Sequence, residues 1–176
     1  MIRTDINKLN INPFEIFSRG RVLLTAGEKP NSMTIAWGAM GALFSQNICI
    51  VFVKESRFTN HLMQESKYFT LSFLDEKYKK ELGIMGTKSG KDTDKYELTG
   101  LTPVFDNDKF CSYIKESDMV LKLEKISELK FDYESLFSEE AVKKYYSGSE
   151  LNNFHHVYFG KIVSTLVNED FDITKK

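Results

Sequence analysis

The chain has 176 residues, long enough to bury a real core and expected to form one domain over residues 1–176. Its 41% hydrophobic and 28% charged residues describe an ordinary soluble globular protein. With 24 basic against 25 acidic residues the formal net charge is −1, which argues against a nucleic-acid or anionic-membrane binder held by bulk charge.

Residues 1 to 20 read as a lead-in with one helical turn around Phe14 to Phe17. Arg21 to Ala26 is apolar and β-prone, Gly27 to Asn31 is a turn, and Ser32 to Ala36 resumes as a strand, so 21 to 36 reads as a hairpin. Ala39 to Phe44 and Asn47 to Val53 form a second strand pair. Ile48 to Val53 is so continuously apolar that it is expected to be a central strand. Thr59 to Lys67 reads as a short helix capped by Thr59, and Tyr68 to Leu74 as a strand. Glu76 to Met85 is helical, with Tyr78, Leu82 and Met85 on one stripe. Phe105 to Tyr113 has no clear pattern. Met119 to Ser127 is a strand, Ser138 to Tyr146 a short helix, and Asn153 to Val167 a long strand.

Consecutive strands with a few inserted helices predict an antiparallel barrel with flanking short α-helices, not a βαβ sheet. Neither Gly-x-Gly-x-x-Gly nor a P-loop occurs. Cys49 and Cys111 are expected to be buried free thiols, and no zinc-ligand spacing exists. Met1 to Asn12 is polar with no apolar h-region, so no signal peptide is expected. No apolar run reaches the roughly 18 to 20 residues of a membrane span. The expected compartment is the cytoplasm.

Three polar segments carry phosphate chemistry. Ser89-Gly90-Lys91-Asp92-Thr93-Asp94-Lys95 is a loop with hydroxyls, lysines and one glycine. Ser56-Arg57-Phe58-Thr59 sits at a strand-to-helix junction, where free helix N–H groups point outward. Asn31-Ser32-Met33-Thr34 opens a strand. A phosphate monoester needs convergent cations, hydroxyls and N–H groups, and these segments supply them. Each residue alone also fits a solvated surface. Met33 and Trp37 either wall a flat ring system or belong to the core. Gly38 and Gly41 flank a stretch where backbone can approach a ligand closely. In His155-His156, alternation puts the side chains on opposite faces, one toward a pocket or both on the surface. The third histidine, His61, lies on a predicted helix, too few ligands for a metal site.

In this order, Asn31-Ser32-Met33-Thr34-Ile35-Ala36-Trp37-Gly38, Ser56-Arg57-Phe58-Thr59, Ser89 to Lys95 and Phe154-His155-His156-Val157-Tyr158-Phe159-Gly160-Lys161-Ile162 resemble the flavin reductase-like, FMN-binding split-barrel family, nearest its flavoredoxin-type branch. The resemblance runs from about Phe14 to Val167. It implies a split antiparallel β-barrel and a homodimer with FMN near the subunit interface. It also implies electron transfer from NADH or NADPH through the flavin. Carried over position by position, Asn31, Ser32, Met33, Thr34, Ala36 and Trp37 line the flavin ring and ribityl chain. Arg57, Thr59, Ser89 and Lys95 hold the phosphate side, and His155 lies near the nicotinamide. Asp92 and Asp94 shape the loop. The chain departs from the family pattern at Asn153, Lys161 and Lys91. Two functions follow from the resemblance: an FMN-dependent oxidoreductase passing electrons to flavin, oxygen or a protein partner, and an FMN-binding electron carrier without direct NAD(P)H turnover. A haem-binding split barrel is a third, set against them by the phosphate-like segments.

Overall fold

A computed structural model describes residues 1–105 and 112–170. The expected Cys111, and the patternless stretch after Phe105 as far as residue 111, lie outside the described residues.

One antiparallel sheet organises the chain. In sequence order its strands are β1 (Ile2–Thr4), β2 (Val22–Ala26), β3 (Asn31–Ile35), β4 (Gly38–Leu43), β5 (Gln46–Lys54), β6 (Tyr68–Phe73), β9 (Met119–Lys130) and β10 (His155–Val167). The spatial order is β3-β2-β6-β9-β10-β5-β4, and the sheet does not close. β10 is shared: its first half pairs with β5, and its end pairs with β1. Two short strands, β7 (Pro103–Val104) and β8 (Tyr113–Ile114), pair with each other. This is the expected antiparallel, open-barrel architecture with short helices: α1 (Pro13–Ser18), α2 (Phe58–Glu65), α3 (Lys79–Thr87), α4 (Lys95–Thr99) and α5 (Glu139–Tyr145).

Alternation places the core. Val22, Leu24 and Ala26 of β2 meet Phe69, Leu71 and Phe73 of β6, Leu121 and Leu123 of β9, and Cys49, Val51 and Val53 of β5. The opposite face of β2 is also covered: Leu23 packs with Leu82 and Met85 of α3, and with Leu101 and Ile114. β2 is therefore buried on both faces, in keeping with its consecutive Val22, Leu23 and Leu24.

The same inference fails for Ile48 to Val53. β5 is second from the end of the sheet, not central, and its burial alternates. Its outward Ile50 and Phe52 are half-buried, and Phe52 lies in the wall of a hollow of about 600 Å³ with Phe17, Trp37, Met40 and Phe131. Continuous apolarity there marks a groove. The β4–β5 turn is a two-residue connection, with Phe44 (φ 53°) and Ser45 (φ 58°) both left-handed, as a twisted hairpin requires.

Two further expectations change. α2 starts at Phe58, with Arg57 at its N-cap. Thr59 lies inside the first turn, and its hydroxyl is taken by Asn31 rather than by the helix backbone. Lys95 is not in the loop; it begins α4, where Asp94 caps the Tyr96 and Glu97 N–H groups. That cap is the loop-shaping role expected of Asp94.

Candidate functional site

β3 borders two hollows, with α2 beside the first and the β5–α2 turn beside the second. The first, about 470 Å³, is lined by Asn31, Phe58, Leu62, Lys95, Tyr96 and the loop from Gly90 to Asp94. The second, about 220 Å³, is lined by Met33, Thr34, Ala36, Trp37, Arg57 and His155, with Phe52, Lys54 and Tyr145. Six of the expected site residues thus meet at the second hollow, and Asn31 and Lys95 at the first.

The first hollow is built on a close approach. Asn31 Nδ2 donates to Thr59 Oγ1 (2.7 Å), which fixes its side chain. Gly90 packs directly on that amide: a Cβ at Gly90 would lie 1.9 Å from Asn31 Oδ1. Only glycine lets the loop backbone settle there. The loop reaches the hollow through Gly90, Lys91, Asp92 and Thr93. Ser89 is exposed and borders neither hollow; its Oγ accepts from Lys91 N (3.2 Å).

Ser32 and Thr34 point to the other face of β3. Ser32 Oγ bonds Thr25 Oγ1 (2.6 Å) and Tyr96 Oη (2.8 Å) and is fully buried. Thr34 Oγ1 donates to the Leu82 carbonyl (2.6 Å). Both hydroxyls tie β3 to the helical layer. Met33 packs on the core and also lines the second hollow. Trp37 is 38% exposed and is not a core residue. The close approach at Gly38 comes from within the chain: a Cβ there would lie 2.3 Å from the Phe17 ring.

Three cations converge. Lys54 pairs with Glu150. Lys95 is only 4% exposed and donates to the carbonyls of Ser32 and Met85. Burial, and then the Arg57 charge, pull its amine down to about 8. Arg57 is exposed, and its side chain makes no hydrogen bond or ion pair among the described residues. Its charge is nonetheless felt by Lys95, His155 and Glu150. Arg57 at the α2 N-cap makes no side-chain cap bond, so the helix end leaves first-turn N–H groups for an outside acceptor. The chemistry of this donor set fits a phosphate.

Asn153 holds the turn in place. It accepts from Ser56 N (3.0 Å) and donates to Ser56 Oγ (2.9 Å) and to Glu150 Oε2 (2.7 Å). The amide both donates and accepts here, which an aspartate cannot do.

Neither histidine lies on the surface. His156 Nδ1 contacts Glu128 Oε1 (2.7 Å), and its ring stacks on Tyr158. His155 is 6% exposed, with Nδ1 2.7 Å from Tyr146 Oη. Trp37 covers its ring (centroids 4.7 Å, 36°), and Tyr145 stands edge-on to Trp37 (4.9 Å, 86°). Burial, then the Lys54 and Arg57 charges, bring His155 down to about 4, with Glu150 opposing. The unfolded chain therefore binds a proton below about 6.5 that the folded chain refuses until about 4. Stability attached to His155 is present above that window and is lost as pH falls through it. His155→Gln is expected to flatten the fall in Tm between these two pH values; an unchanged profile in thermal unfolding would remove the assignment.

Lys54, Tyr145, Tyr146 and Glu150 escaped the sequence reading, and Asn153 entered it only as a departure from the family pattern. The one signal was the Tyr145-Tyr146 pair at the end of a predicted helix, and nothing in the sequence says which strand that helix end meets.

The model of the flavin reductase-like domain matches residues 14–173. The fold is similar to a flavoredoxin from Methanosarcina acetivorans (TM-score 0.69, 20% identity, covering 98% of this chain and 77% of that one). It is similar also to the flavoredoxin of Desulfovibrio vulgaris Miyazaki F (TM-score 0.64, 21% identity, 84% and 69%). A third similar structure is an NADH:FAD oxidoreductase from Streptomyces globisporus (TM-score 0.62, 12% identity, 86% and 76%).

Proposed function

The chain belongs to the flavin reductase-like family, and on that premise we propose that it is an FMN-dependent oxidoreductase, one domain that passes electrons from NADH or NADPH to free flavin, oxygen or a protein partner. The observation that carries this reading is Arg57, whose guanidinium has no partner among the described residues and lines the second hollow beside Lys54, close enough for its charge to act on Lys95. FMN, when bound, supplies the redox chemistry: it takes up a hydride equivalent and hands the electrons on.

The chain's own residues bind and orient. Arg57 and the α2 N-terminus take the phosphate, with the Gly90 to Asp94 loop folded against it and Lys95 adding charge from behind. Ser89 braces the loop by accepting from Lys91 N. Asn31 and Thr59 fix the floor on which that loop rests. Ser32 and Thr34 hold β3 rigid through α3 and α4, while Met33, Ala36 and Trp37 offer the ring an apolar wall. His155 faces the substrate side and moves no proton at neutral pH, since it stays uncharged.

A homodimer completes this site. The apolar hollow beside Trp37 includes Phe14, which is 86% exposed, a patch that a second copy of the chain covers. The buried free thiol of Cys49 suits a reducing cytoplasm, and no helix among the described residues is long and apolar enough to cross a membrane.

A second reading, an FMN electron carrier without direct NAD(P)H turnover, is favoured by one observation. Trp37 packs on both Tyr145 and His155, so a side chain already covers the His155 ring face on which a nicotinamide would stack. The purified protein, supplied with FMN, is expected to show the bound-flavin spectrum and to bleach on anaerobic addition of NADH or NADPH. Bound flavin that stays oxidised for minutes selects the carrier. A protein that binds no FMN overturns both.

A further inference from the structure

His155 has one ring nitrogen engaged and one open. Nδ1 meets Tyr146 Oη at 2.7 Å. Nε2 makes no hydrogen bond among the described residues and, unlike His156 Nε2, is not sealed from solvent; the residue lines the second hollow. Tyr146 is 3% exposed, and burial raises its phenol above the usual tyrosine range, so the hydroxyl keeps its proton. A buried donor left without an acceptor is costly, and His155 Nδ1 is the acceptor in reach. The phenol therefore donates to Nδ1, and the imidazole proton must sit on Nε2.

The ring cannot turn away from this arrangement. Trp37 lies over its face, Tyr146 stands edge-on to it (5.7 Å, 86°), and Tyr145 braces Trp37. The charged groups around it come from three elements: Lys54 of β5, Arg57 of the following turn, and Glu150 of the 3-10 turn Gly148–Glu150. Burial is the larger cause of the ring's neutrality, and with Glu150 already paired with Lys54 the two cations add to it. A neutral N–H matches a neutral oxygen acceptor, while an anionic group is better served by Arg57.

We propose that Tyr146 is a positioning residue that locks His155 in the tautomer with its proton on Nε2, so that His155 donates to a carbonyl or carboxamide oxygen of the substrate that meets the flavin. The substrate half rests on the proposed flavin site; the tautomer half stands without it.

Long-range 1H–15N correlation spectra of the histidine-labelled protein test both halves, recorded before and after adding FMN. The chain has three histidines, so assignment by single substitution is simple. The wild-type protein is expected to show His155 protonated on Nε2 and bare on Nδ1 at pH 7. It should stay neutral until the pH approaches about 4. Tyr146→Phe should give mixed tautomers and a higher midpoint. In the FMN-loaded variant, KM for the nicotinamide donor should rise roughly tenfold with FMN affinity unchanged, the loss of one hydrogen bond. A wild-type proton on Nδ1 overturns the inference, and that spectrum decides even if the variant fails to fold. So does a Tyr146→Phe spectrum identical to wild type. Nε2 protonation in a chain that binds no FMN sinks the flavin reading and the substrate half with it, leaving the tautomer. FMN bound and bleached by NADH with the proton on Nδ1 sinks this inference alone.

Discussion

Arg57→Ala is expected to weaken FMN binding by roughly ten- to hundredfold, the loss of a charge-assisted contact. The size follows from what the other two cations are doing. Lys54 is already matched by Glu150. Lys95 spends its N–H bonds on the Ser32 and Met85 carbonyls, and its amine begins to lose its proton near pH 8. Arg57 alone brings a permanent charge with no internal partner. Arg57→Lys should recover only part of the affinity, because an ammonium lacks the planar fork that grips two phosphate oxygens. Wild-type affinity should also slip between pH 7 and pH 9 as Lys95 neutralises, and that slope should move to higher pH in the alanine variant, where the Arg57 charge no longer lowers Lys95. Titration of flavin fluorescence reads all three. Unchanged affinity in Arg57→Ala would remove the phosphate assignment. Since the side chain is exposed and unbonded, the variant should unfold at nearly the wild-type temperature.

The strand skeleton was legible because alternation survives in it. β6 and β9 carry their inward residues at every second position, and the family motifs fell in order elsewhere, on β3, the β5–α2 turn, the loop before α4 and β10. β5 misled for a physical reason: a strand beneath an apolar groove has the same composition as one beneath a helical layer. The site was legible in its cations and its glycine. Gly90 stands where a side chain would strike Asn31, and Arg57 where a helix begins. Side-chain direction was not. Ser32 and Thr34 alternate away from Asn31 and Met33, and only the position of α3 and α4 shows that their hydroxyls are consumed there. The network around His155 could not be read at all. It joins the end of α5 to the start of β10 and the β3–β4 turn, and no local pattern encodes that meeting.

Gly160→Ala is expected to cost about 1 to 3 kcal/mol of stability, the usual penalty for an extra methyl in a packed core. For a chain of this size each kcal/mol lowers Tm by roughly 2 to 4 °C. The glycine lies in β10 where the register with β9 slips, between Phe159 opposite Ser127 and Gly160 opposite Lys125. Such a bulge bends the strand and deepens its twist, which lets one strand serve β5 at its start and β1 at its end. The bend also brings two side chains onto Gly160. A Cβ there would lie 2.6 Å from Phe69 Cζ and 2.9 Å from Leu123 Cβ. Phe69 could tilt, but Leu123 Cβ is fixed to its own backbone, so the strand itself must shift. His155 is at the far end of the β5-paired half of β10, and the Asn153 network pins the loop before it to the Arg57 turn. FMN affinity measured well below Tm should therefore change less than Tm does. A Tm equal to wild type would show that β10 does not depend on this close approach, and an FMN affinity that falls in step with stability would show that the bulge shapes the flavin site as well as the barrel.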